Sequence, residues 1–190
     1  MPDFLALGEC MVEIGPVENG KCRRGFAGDT FNTAWYARAC LPDSWQVGYG
    51  TCIGRDPFSA RISNFLKANG IETDRIQTHP TRSVGLYAIS LDKGERSFAY
   101  WRDASAARRM FGADDAPDFS ALDGASHVFL SAITLAILSP AIRATLLDRL
   151  QEMRHTYWAE AKSKFALQPK TVFVDKLPLN LADLGFANLL

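Results

Sequence analysis

Short apolar runs alternate with amphipathic stretches along this chain, and the two patterns predict strands that alternate with helices. Buried strands are predicted at residues 4–7, 45–53 and 128–131. A helix is predicted over residues 57–69. Its apolar positions share one face: Phe58, Ile62, Phe65 and Leu66. A second helix is predicted after Ser139, because a capping serine and a proline precede a stripe of apolar residues. The alternation indicates an α/β fold.

The ends of these elements carry turn and cap residues. Asp56 precedes the first helix and is interpreted as its N-cap rather than as a ligand contact. Gly70 is a helix-stop residue. Residues 11–26 contain a Gly-Pro and an Asn-Gly pair. They are predicted to form a turn-rich segment outside the main sheet that is part of a lid.

The composition limits the classes of partner. A chain of 190 residues with 47% hydrophobic content is long enough to bury a core, and it predicts one domain, or one domain and part of a second. Because 21 basic residues balance 21 acidic ones, the charge favours neither nucleic acid nor an electrostatic membrane anchor as a partner. Small neutral or acidic metabolites are the expected ligands.

The cysteines and histidines are too scattered to predict a metal site or a disulfide framework. No two cysteines have Cys-x-x-Cys spacing: Cys10, Cys22, Cys40 and Cys52. We therefore expect free thiols, no bound metal and a reducing, cytoplasmic location. The N-terminus lacks a basic region and the longest apolar run, residues 128–138, is too short to cross a bilayer, so neither a signal peptide nor a membrane helix is expected.

Residues 25–34, GFAGDTFNTA, have the character of a ligand-binding turn. Gly25 and Gly28 lack a Cβ, which allows a close approach of the backbone, and the helix that follows presents Asn32 from its first turn. Asp29 is interpreted as the residue that shapes the turn and caps the helix, whose start favours negative ligand charge. An ordinary strand-to-helix turn explains the same spacing, and both interpretations remain open on this segment alone.

A β-hairpin is predicted between Gly85 and Arg102, with a four-residue turn at residues 92–95. The predicted pairs are Leu91–Arg96, Ile89–Phe98, Tyr87–Tyr100 and Gly85–Arg102. Tyr87, Tyr100 and Arg102 then share one face, and Gly85 leaves room for a ligand opposite the arginine. Two aromatic rings and a guanidinium suit a sugar acid better than a neutral sugar. The alternative is a sheet with ordinary aromatic pairs and a surface arginine.

Three other charged positions have two interpretations each. Glu9 follows the end of the first strand, where open α/β sheets place ligand-facing groups, and a solvated loop residue is an equal alternative. Arg108 and Arg109 could neutralise a phosphate or a carboxylate, but a solvated surface is the preferred interpretation of this pair.

Several segments, taken in this order, resemble the PfkB (ribokinase-like) carbohydrate kinases, and one branch in particular, the 2-keto-3-deoxygluconate kinases. The segments are GECMVEI from Gly8, GFAGDTFNTA from Gly25, TCIGRDPF from Thr51, GLYAI from Gly85, GERSFAYWR from Gly94 and SAAR from Ser105. The resemblance extends over about residues 4–153. It implies a ribokinase-like αβα sandwich with a small β-sheet lid, present as an incomplete N-terminal part at residues 1–154. It places lid strands within about residues 11–27 and 84–102, and leaves residues 155–190 as a divergent tail.

The resemblance implies ATP-dependent phosphorylation of a sugar acid, 2-keto-3-deoxygluconate, with ATP and Mg²⁺ as cofactors. Together with the arguments above, it implies these sugar contacts: Glu9, Gly28, Asn32, Tyr87, Tyr100 and Arg102. In that family a late Gly-x-Gly-Asp loop supplies the aspartate that accepts the hydroxyl proton, and this sequence contains no such loop. We therefore expect no catalytic residue, no ATP site and negligible kinase activity in this chain.

The resemblance also implies a homodimer through the lid strands, because members of the family pair in this way. Two other functions remain open: a kinase for another sugar, such as fructose, and a non-catalytic module that binds a sugar or a partner. A third alternative is a chain that does not fold alone.

Overall fold

The computed structural model describes residues 1–17, 20–93 and 95–165. The chain divides into two compact units, Met1–Ser139 and a unit that begins at Pro140. The strands, in chain order, are β1 (Phe4–Leu7), β2 (Met11–Pro16), β3 (Cys22–Ala27), β4 (Val47–Ile53), β5 (Ile71–Glu72), β6 (Ile76–Thr78), β7 (Leu86–Asp92), β8 (Glu95–Trp101), β9 (Gly112–Ala113), β10 (Ala116–Pro117) and β11 (His127–Leu130). The helices are α1 (Asp29–Cys40), α2 (Pro57–Ala68), α3 (Ala132–Ile137) and α4 (Pro140–Phe165).

The main sheet of the first unit has the order β11-β1-β4-β5, and β6 also pairs with β4. Its strand pairs are all parallel. Every residue of β4 is buried, as expected of a parallel strand that is covered on both faces. The predicted strands at residues 4–7, 45–53 and 128–131, and the predicted α/β class, are therefore confirmed to within two residues at each strand end.

An aromatic cluster fixes α1 and α2 against the main sheet. The ring of Phe31 on α1 meets Tyr49 of β4 edge-on at 5.8 Å and stacks with Phe65 of α2 at 5.9 Å. Ile62 and Leu66 of α2 are fully buried beside them, as the predicted helix face requires, whereas Phe58 remains exposed. Each fully buried side chain of this size stabilises the fold by about 1.5–3 kcal/mol, so the cluster holds both helices against the sheet.

Helix α2 begins and ends as predicted. The Asp56 carboxylate accepts the N–H groups of Phe58 and Ser59 at 2.9 and 3.0 Å, and the Ser59 hydroxyl donates to it at 2.6 Å. Partial burial raises the pKa of Asp56, but these hydrogen bonds outweigh it, so the pKa lies below its usual value. Gly70 follows the helix with φ of 70°, a left-handed conformation that favours glycine.

The second sheet of the first unit, here called the lid sheet, has the order β3-β2-β7-β8. Strands β2 and β3 are antiparallel, β2 and β7 are parallel, and β7 and β8 form an antiparallel hairpin. The hairpin has the predicted register, with Leu91 opposite Arg96, Ile89 opposite Phe98 and Tyr87 opposite Tyr100. Residue 94 of the predicted turn lies outside the described residues.

The second unit begins with α4, at the proline that the sequence places in a first helical turn. Helix α4 continues beyond residue 154, where the resemblance places the end of the kinase-like part. Of the predicted tail at residues 155–190, residues 166–190 lie outside the described residues.

Candidate functional site

A cavity of about 290 Å³ lies between the lid sheet, the start of α1 and the loop that follows β1. We call it the sugar cavity, after the sugar contacts that the resemblance implies. All six residues predicted to contact a sugar line it: Glu9, Gly28, Asn32, Tyr87, Tyr100 and Arg102. The other lining residues are Met11, Ala27, Asp29, Phe98 and Ile133. The structure therefore brings together residues that lie more than 90 positions apart in the sequence.

The turn that enters α1 packs closely on the chain after β1. Gly28 is the N-cap residue of α1, and a Cβ at this position would collide with the carbonyl oxygen of Glu9. The Gly28 carbonyl accepts the N–H of Asn32 at 2.8 Å and so closes the first helical turn. Asn32 is exposed on that turn, where its side chain lines the cavity, as predicted.

Two predicted details of this turn are wrong. Asp29 does not cap α1, because Gly28 takes the N-cap position that only a residue without a Cβ can fill. Asp29 is instead the first helical residue, and its Oδ1 accepts the N–H of Thr30 at 2.8 Å. Gly25 is not required by a close approach, since a Cβ there would meet nothing nearer than Glu13 Oε1 at 3.7 Å.

Glu9 and Arg102 form an ion pair in the cavity wall. Oε2 of Glu9 lies 2.5 Å from Nη2 of Arg102, and Glu9 is almost completely buried. Burial raises the pKa of Glu9, and the Ser105 hydroxyl and the positive charges of Arg102 and Arg108 lower it only in part. The interpretations of Glu9 as a solvated loop residue and of Arg102 as a surface arginine are therefore both excluded.

Gly85 provides the space for this ion pair. A Cβ on Gly85 would lie 2.7 Å from Oε1 of Glu9 and 3.1 Å from Cβ of Arg102. The prediction that Gly85 leaves room opposite Arg102 is confirmed, but the Glu9 carboxylate occupies that room rather than a ligand.

Two tyrosines form the aromatic wall of the sugar cavity, and their hydroxyl groups have different environments. The ring centroids of Tyr87 and Tyr100 lie 5.8 Å apart. Tyr87 is buried and its hydroxyl donates to the Glu13 carboxylate; burial and this hydrogen bond raise the pKa of Tyr87. Tyr100 is half exposed. Tyr87 therefore presents mainly its ring to the cavity, whereas Tyr100 also offers a hydroxyl.

Comparison with known proteins identifies the family of the chain. A sequence model described as pfkB family carbohydrate kinase matches residues 1–175. The chain belongs to the pfkB family of carbohydrate kinases. It is similar to the 2-dehydro-3-deoxygluconokinases of Dickeya dadantii, with 42% identity over 151 residues, and Escherichia coli strain K12, with 38% identity over 151 residues. Each match covers 78% of this chain and 48% of the relative, so the chain spans about half the length of the curated relatives it matches.

Solved structures of pfkB-family kinases share the fold. The 2-dehydro-3-deoxygluconokinase of Thermotoga maritima has a TM-score of 0.67 at 20% identity, over 80% of this chain and 48% of that one. A sugar kinase of Pyrococcus horikoshii, solved in complex with ATP, has a TM-score of 0.64 at 18% identity, over 79% of this chain and 49% of that one. The predicted ribokinase-like α/β fold is therefore confirmed.

Arg108 of this pfkB-family chain is half-buried, so the prediction of a solvated arginine pair is wrong for this residue. It lies on the 3₁₀ turn Ala106–Arg109, which is held by the burial of Ala106 and Ala107 and by a hydrogen bond from the Ala106 N–H to the Ser83 carbonyl at 2.8 Å. Arg109 is exposed, as predicted. The two adjacent alanines were the signal that this turn packs inward.

Sequence reasoning missed Phe98 and Ile133 as cavity residues. Phe98 could have been found, because the predicted register places it two residues from Tyr100 on the same face of β8. Ile133 carries no local signal, since α3 reaches the cavity only through the tertiary fold.

We assign none of the described residues to ATP or Mg²⁺. Among the described residues, no group of three or more histidine, cysteine, aspartate or glutamate side chains is arranged to hold a metal ion. The Gly-x-Gly-Asp loop is absent from the sequence. In the same part of the chain, no helix has the length and apolar character needed to cross a bilayer.

Proposed function

We propose that the residues lining the sugar cavity bind 2-keto-3-deoxygluconate, also called 2-dehydro-3-deoxygluconate. They would form the sugar-acid-binding part of a kinase for this substrate. The observation that carries the proposal is the Arg102 guanidinium in the wall of a small cavity that Tyr87 and Tyr100 also line. The relatives named 2-dehydro-3-deoxygluconokinase, at 42% and 38% identity, support this substrate.

The charge and size of the sugar cavity suit a small sugar acid. A guanidinium binds a carboxylate through hydrogen bonds, and because Glu9 engages Nη2 of Arg102 and Nε is buried, Nη1 is the remaining donor for the ligand. The sugar carbons pack on Tyr87 and Tyr100, and the Asn32 amide bonds the sugar hydroxyls. Ligand sites span roughly 300–1,000 Å³, so a cavity of about 290 Å³ is at the small end of the range.

We propose that phosphoryl transfer requires residues that this sequence does not contain. In the complete enzyme, ATP with Mg²⁺ would be the phosphoryl donor, and an aspartate would accept the proton of the attacking sugar hydroxyl. The pure 190-residue chain should then bind the sugar without phosphorylating it. Measurable ATP-dependent phosphorylation of 2-keto-3-deoxygluconate by this chain would contradict the second proposal and leave the first unaffected.

The binding proposal is tested by thermal unfolding, followed through the four tryptophans, with 2-keto-3-deoxygluconate or the neutral sugar fructose. A ligand at about 100 times its dissociation constant stabilises the fold by roughly 2.7 kcal/mol. We expect the sugar acid to raise the melting temperature of the native chain and to lose this effect in Arg102→Ala. The matched control is Arg96→Ala, which removes an exposed arginine from the same face of β8.

The alternatives give different results. If fructose stabilises the chain and Arg102→Ala does not change this, the chain belongs to a kinase for a neutral sugar. If neither sugar changes the melting temperature, the sugar cavity is not a sugar site in this chain, and the non-catalytic partner-binding alternative gains support.

We also propose that two copies pair through the lid sheet. Every residue of β8, an outer strand of that sheet, is exposed, including Trp101 at 62% and Phe98 at 49%. An exposed aromatic strand at a sheet edge favours pairing with another chain. Sedimentation velocity should show a dimer that Trp101→Ser weakens, and a monomer at all concentrations would contradict this proposal.

A cytoplasmic location is the last part of the proposal. All four cysteines are free, and two of them, Cys22 and Cys40, are exposed, which suits a reducing compartment. Fractionation of cells that express the chain should place it with cytoplasmic markers, and recovery from an oxidising compartment would contradict this location.

A further inference from the structure

A second cavity, of about 690 Å³, lies between the outer strand β3 of the lid sheet and helix α2. Its lining contains three guanidinium groups and two aromatic rings: Arg23, Arg24, Arg61, Phe26 and Phe65. We call it the arginine groove. It shares no lining residue with the sugar cavity, so it is a separate feature of the first unit.

The positive charge of the arginine groove is not neutralised within the described residues. Among those residues, no carboxylate oxygen lies within 4.0 Å of a side-chain nitrogen of the three arginines, so none of them forms an ion pair. Glu13 is the acidic residue of the lining, and its carboxylate accepts the hydrogen bond from Tyr87. A chain with no net charge therefore concentrates positive charge in one groove, which attracts anions.

Two aromatic rings line the groove, and a third ring outside the lining restrains one of its arginines. The guanidinium carbon of Arg24 lies 5.6 Å from the ring centre of Phe58, a cation–π contact that restrains the side chain. The rings of Phe26 and Phe65 meet edge-on at 6.0 Å. Guanidinium groups match phosphate and carboxylate oxygens, and the cavity volume is typical of a small-molecule site.

We propose that the arginine groove is a second ligand site, which binds a small organic anion with two or more phosphate or carboxylate groups. Arg24 belongs to β3 and Arg61 belongs to α2, so an anion that bridges these two residues ties the lid sheet to a helix that packs on the main sheet. The neighbouring Arg23 starts from the opposite face of the strand and adds to the charge of the groove. This site goes beyond the proposed sugar binding and does not depend on it.

The test is titration calorimetry on the 190-residue chain at constant ionic strength, with inorganic pyrophosphate and citrate as separate probes. The decisive variant is Arg61→Gln, which removes one guanidinium from the groove. The control is Lys67→Gln, which removes the same charge from an exposed position of the same helix outside the groove. We expect Arg61→Gln to weaken binding by about tenfold or more, because a hydrogen bond to a charged group is lost. We expect Lys67→Gln to change it by less than about twofold, since that side chain makes no direct contact with the probe.

The two probes distinguish the sources of the anion. Binding of pyrophosphate alone indicates a phosphorylated ligand, and binding of citrate alone indicates a polycarboxylate; either result supports the site. Failure of both probes to bind would overturn the proposal. An equal loss of binding in Arg61→Gln and Lys67→Gln would also overturn it, because that result indicates non-specific attraction. A loss of binding in Arg102→Ala would overturn it as well, because it would place the anion in the sugar cavity.

Discussion

The Glu9 carboxylate and the Arg102 guanidinium face each other at 2.5 Å in a wall of the sugar cavity, with their side chains only 2% and 17% exposed. A buried ion pair adds little net stability, because both charges lose their hydration. The ion pair matters instead for the charge of the site. Arg108 adds a second positive charge there, which acts on Glu9. When Glu9 is ionised, the three residues together carry one net positive charge, which the single carboxylate of a sugar acid would balance.

Removal of Glu9 alone should destabilise the fold. Glu9→Ala removes both carboxyl oxygens beside the largely buried Arg102 guanidinium, whereas protonation keeps an oxygen there; an unpartnered buried charge costs about 3 kcal/mol of the free energy of unfolding in comparable cases. Urea unfolding measures this change. The control is Glu95→Ala, which removes an exposed carboxylate from β8. The double variant Glu9→Ala with Arg102→Ala should lose less than the sum of the single losses, and strict additivity would contradict the pairing.

Glu9 should also give the stability a pH dependence. Because burial raises the pKa of Glu9 in the fold, the folded chain binds more protons than the unfolded chain at pH values between the unfolded and the folded pKa of this residue. Its contribution is therefore greatest below the pKa of the unfolded glutamate, about 4.3, and it declines as pH rises through the folded-state pKa. The difference in free energy of unfolding between the native chain and Glu9→Gln should follow this decline. A difference that is constant from about pH 4 to about pH 7 would show that Glu9 does not titrate as proposed.

Two glycine substitutions should differ in their effects on stability and on binding of the sugar acid. Gly85→Ala places a methyl group 2.7 Å from Oε1 of Glu9, so it should cost about 1–3 kcal/mol and weaken binding of the sugar acid. Gly25→Ala has no atom closer than 3.7 Å to the new methyl group and should leave both quantities nearly unchanged. Chemical denaturation and ligand titration of the two variants provide the comparison, and equal losses would contradict the role given to Gly85.

Removal of the hydroxyl from each of the two tyrosines should affect a different property, stability for Tyr87 and ligand affinity for Tyr100. Tyr87→Phe removes the hydroxyl that donates to Glu13 and should cost about 1 kcal/mol of stability. Tyr100→Phe removes the hydroxyl of a half-exposed residue and should lower affinity for the sugar acid with little effect on stability. Melting temperatures and dissociation constants for both variants test this division, and the reverse assignment would be evidence against it.

Asp56 should stabilise the start of α2 in its charged form. Asp56→Ala removes the N-cap acceptor and should cost about 1 kcal/mol, whereas Asp56→Asn keeps an acceptor and should cost less. Because hydrogen bonds hold the pKa of Asp56 below its usual value, the charged form contributes above the unfolded pKa, and this contribution is lost as pH falls through the folded pKa. Urea unfolding at neutral and acidic pH measures both effects.

The sequence predicts best where local geometry decides the structure. The hairpin register follows from the alternation of side chains and the length of one turn, so Tyr87 and Tyr100 could be paired without knowledge of the rest of the chain. The Asp56 cap is equally local, because the carboxylate reaches N–H groups only two and three residues away.

The errors arise where a neighbour distant in sequence decides. Asp29 has the chemistry of a cap, but the approach of the Glu9 backbone reserves that position for Gly28. Arg108 has the composition of a surface residue, but the packing of its 3₁₀ turn draws it inward. Ile133 reaches the sugar cavity from the far end of the first unit, and no short pattern in the sequence reports such a contact.

The parallel pairing of β2 with β7 has a consequence for how the chain is made. Glu13 and Tyr87 lie 74 positions apart, and the ribosome releases α1, β4, α2, β5 and β6 between them. The hairpin of β2 and β3 is therefore synthesised early, and one edge of β2 stays unpaired until β7 has been synthesised. A nascent chain that pauses in this interval presents an open strand edge, which is the kind of surface that chaperones protect from other unfinished chains.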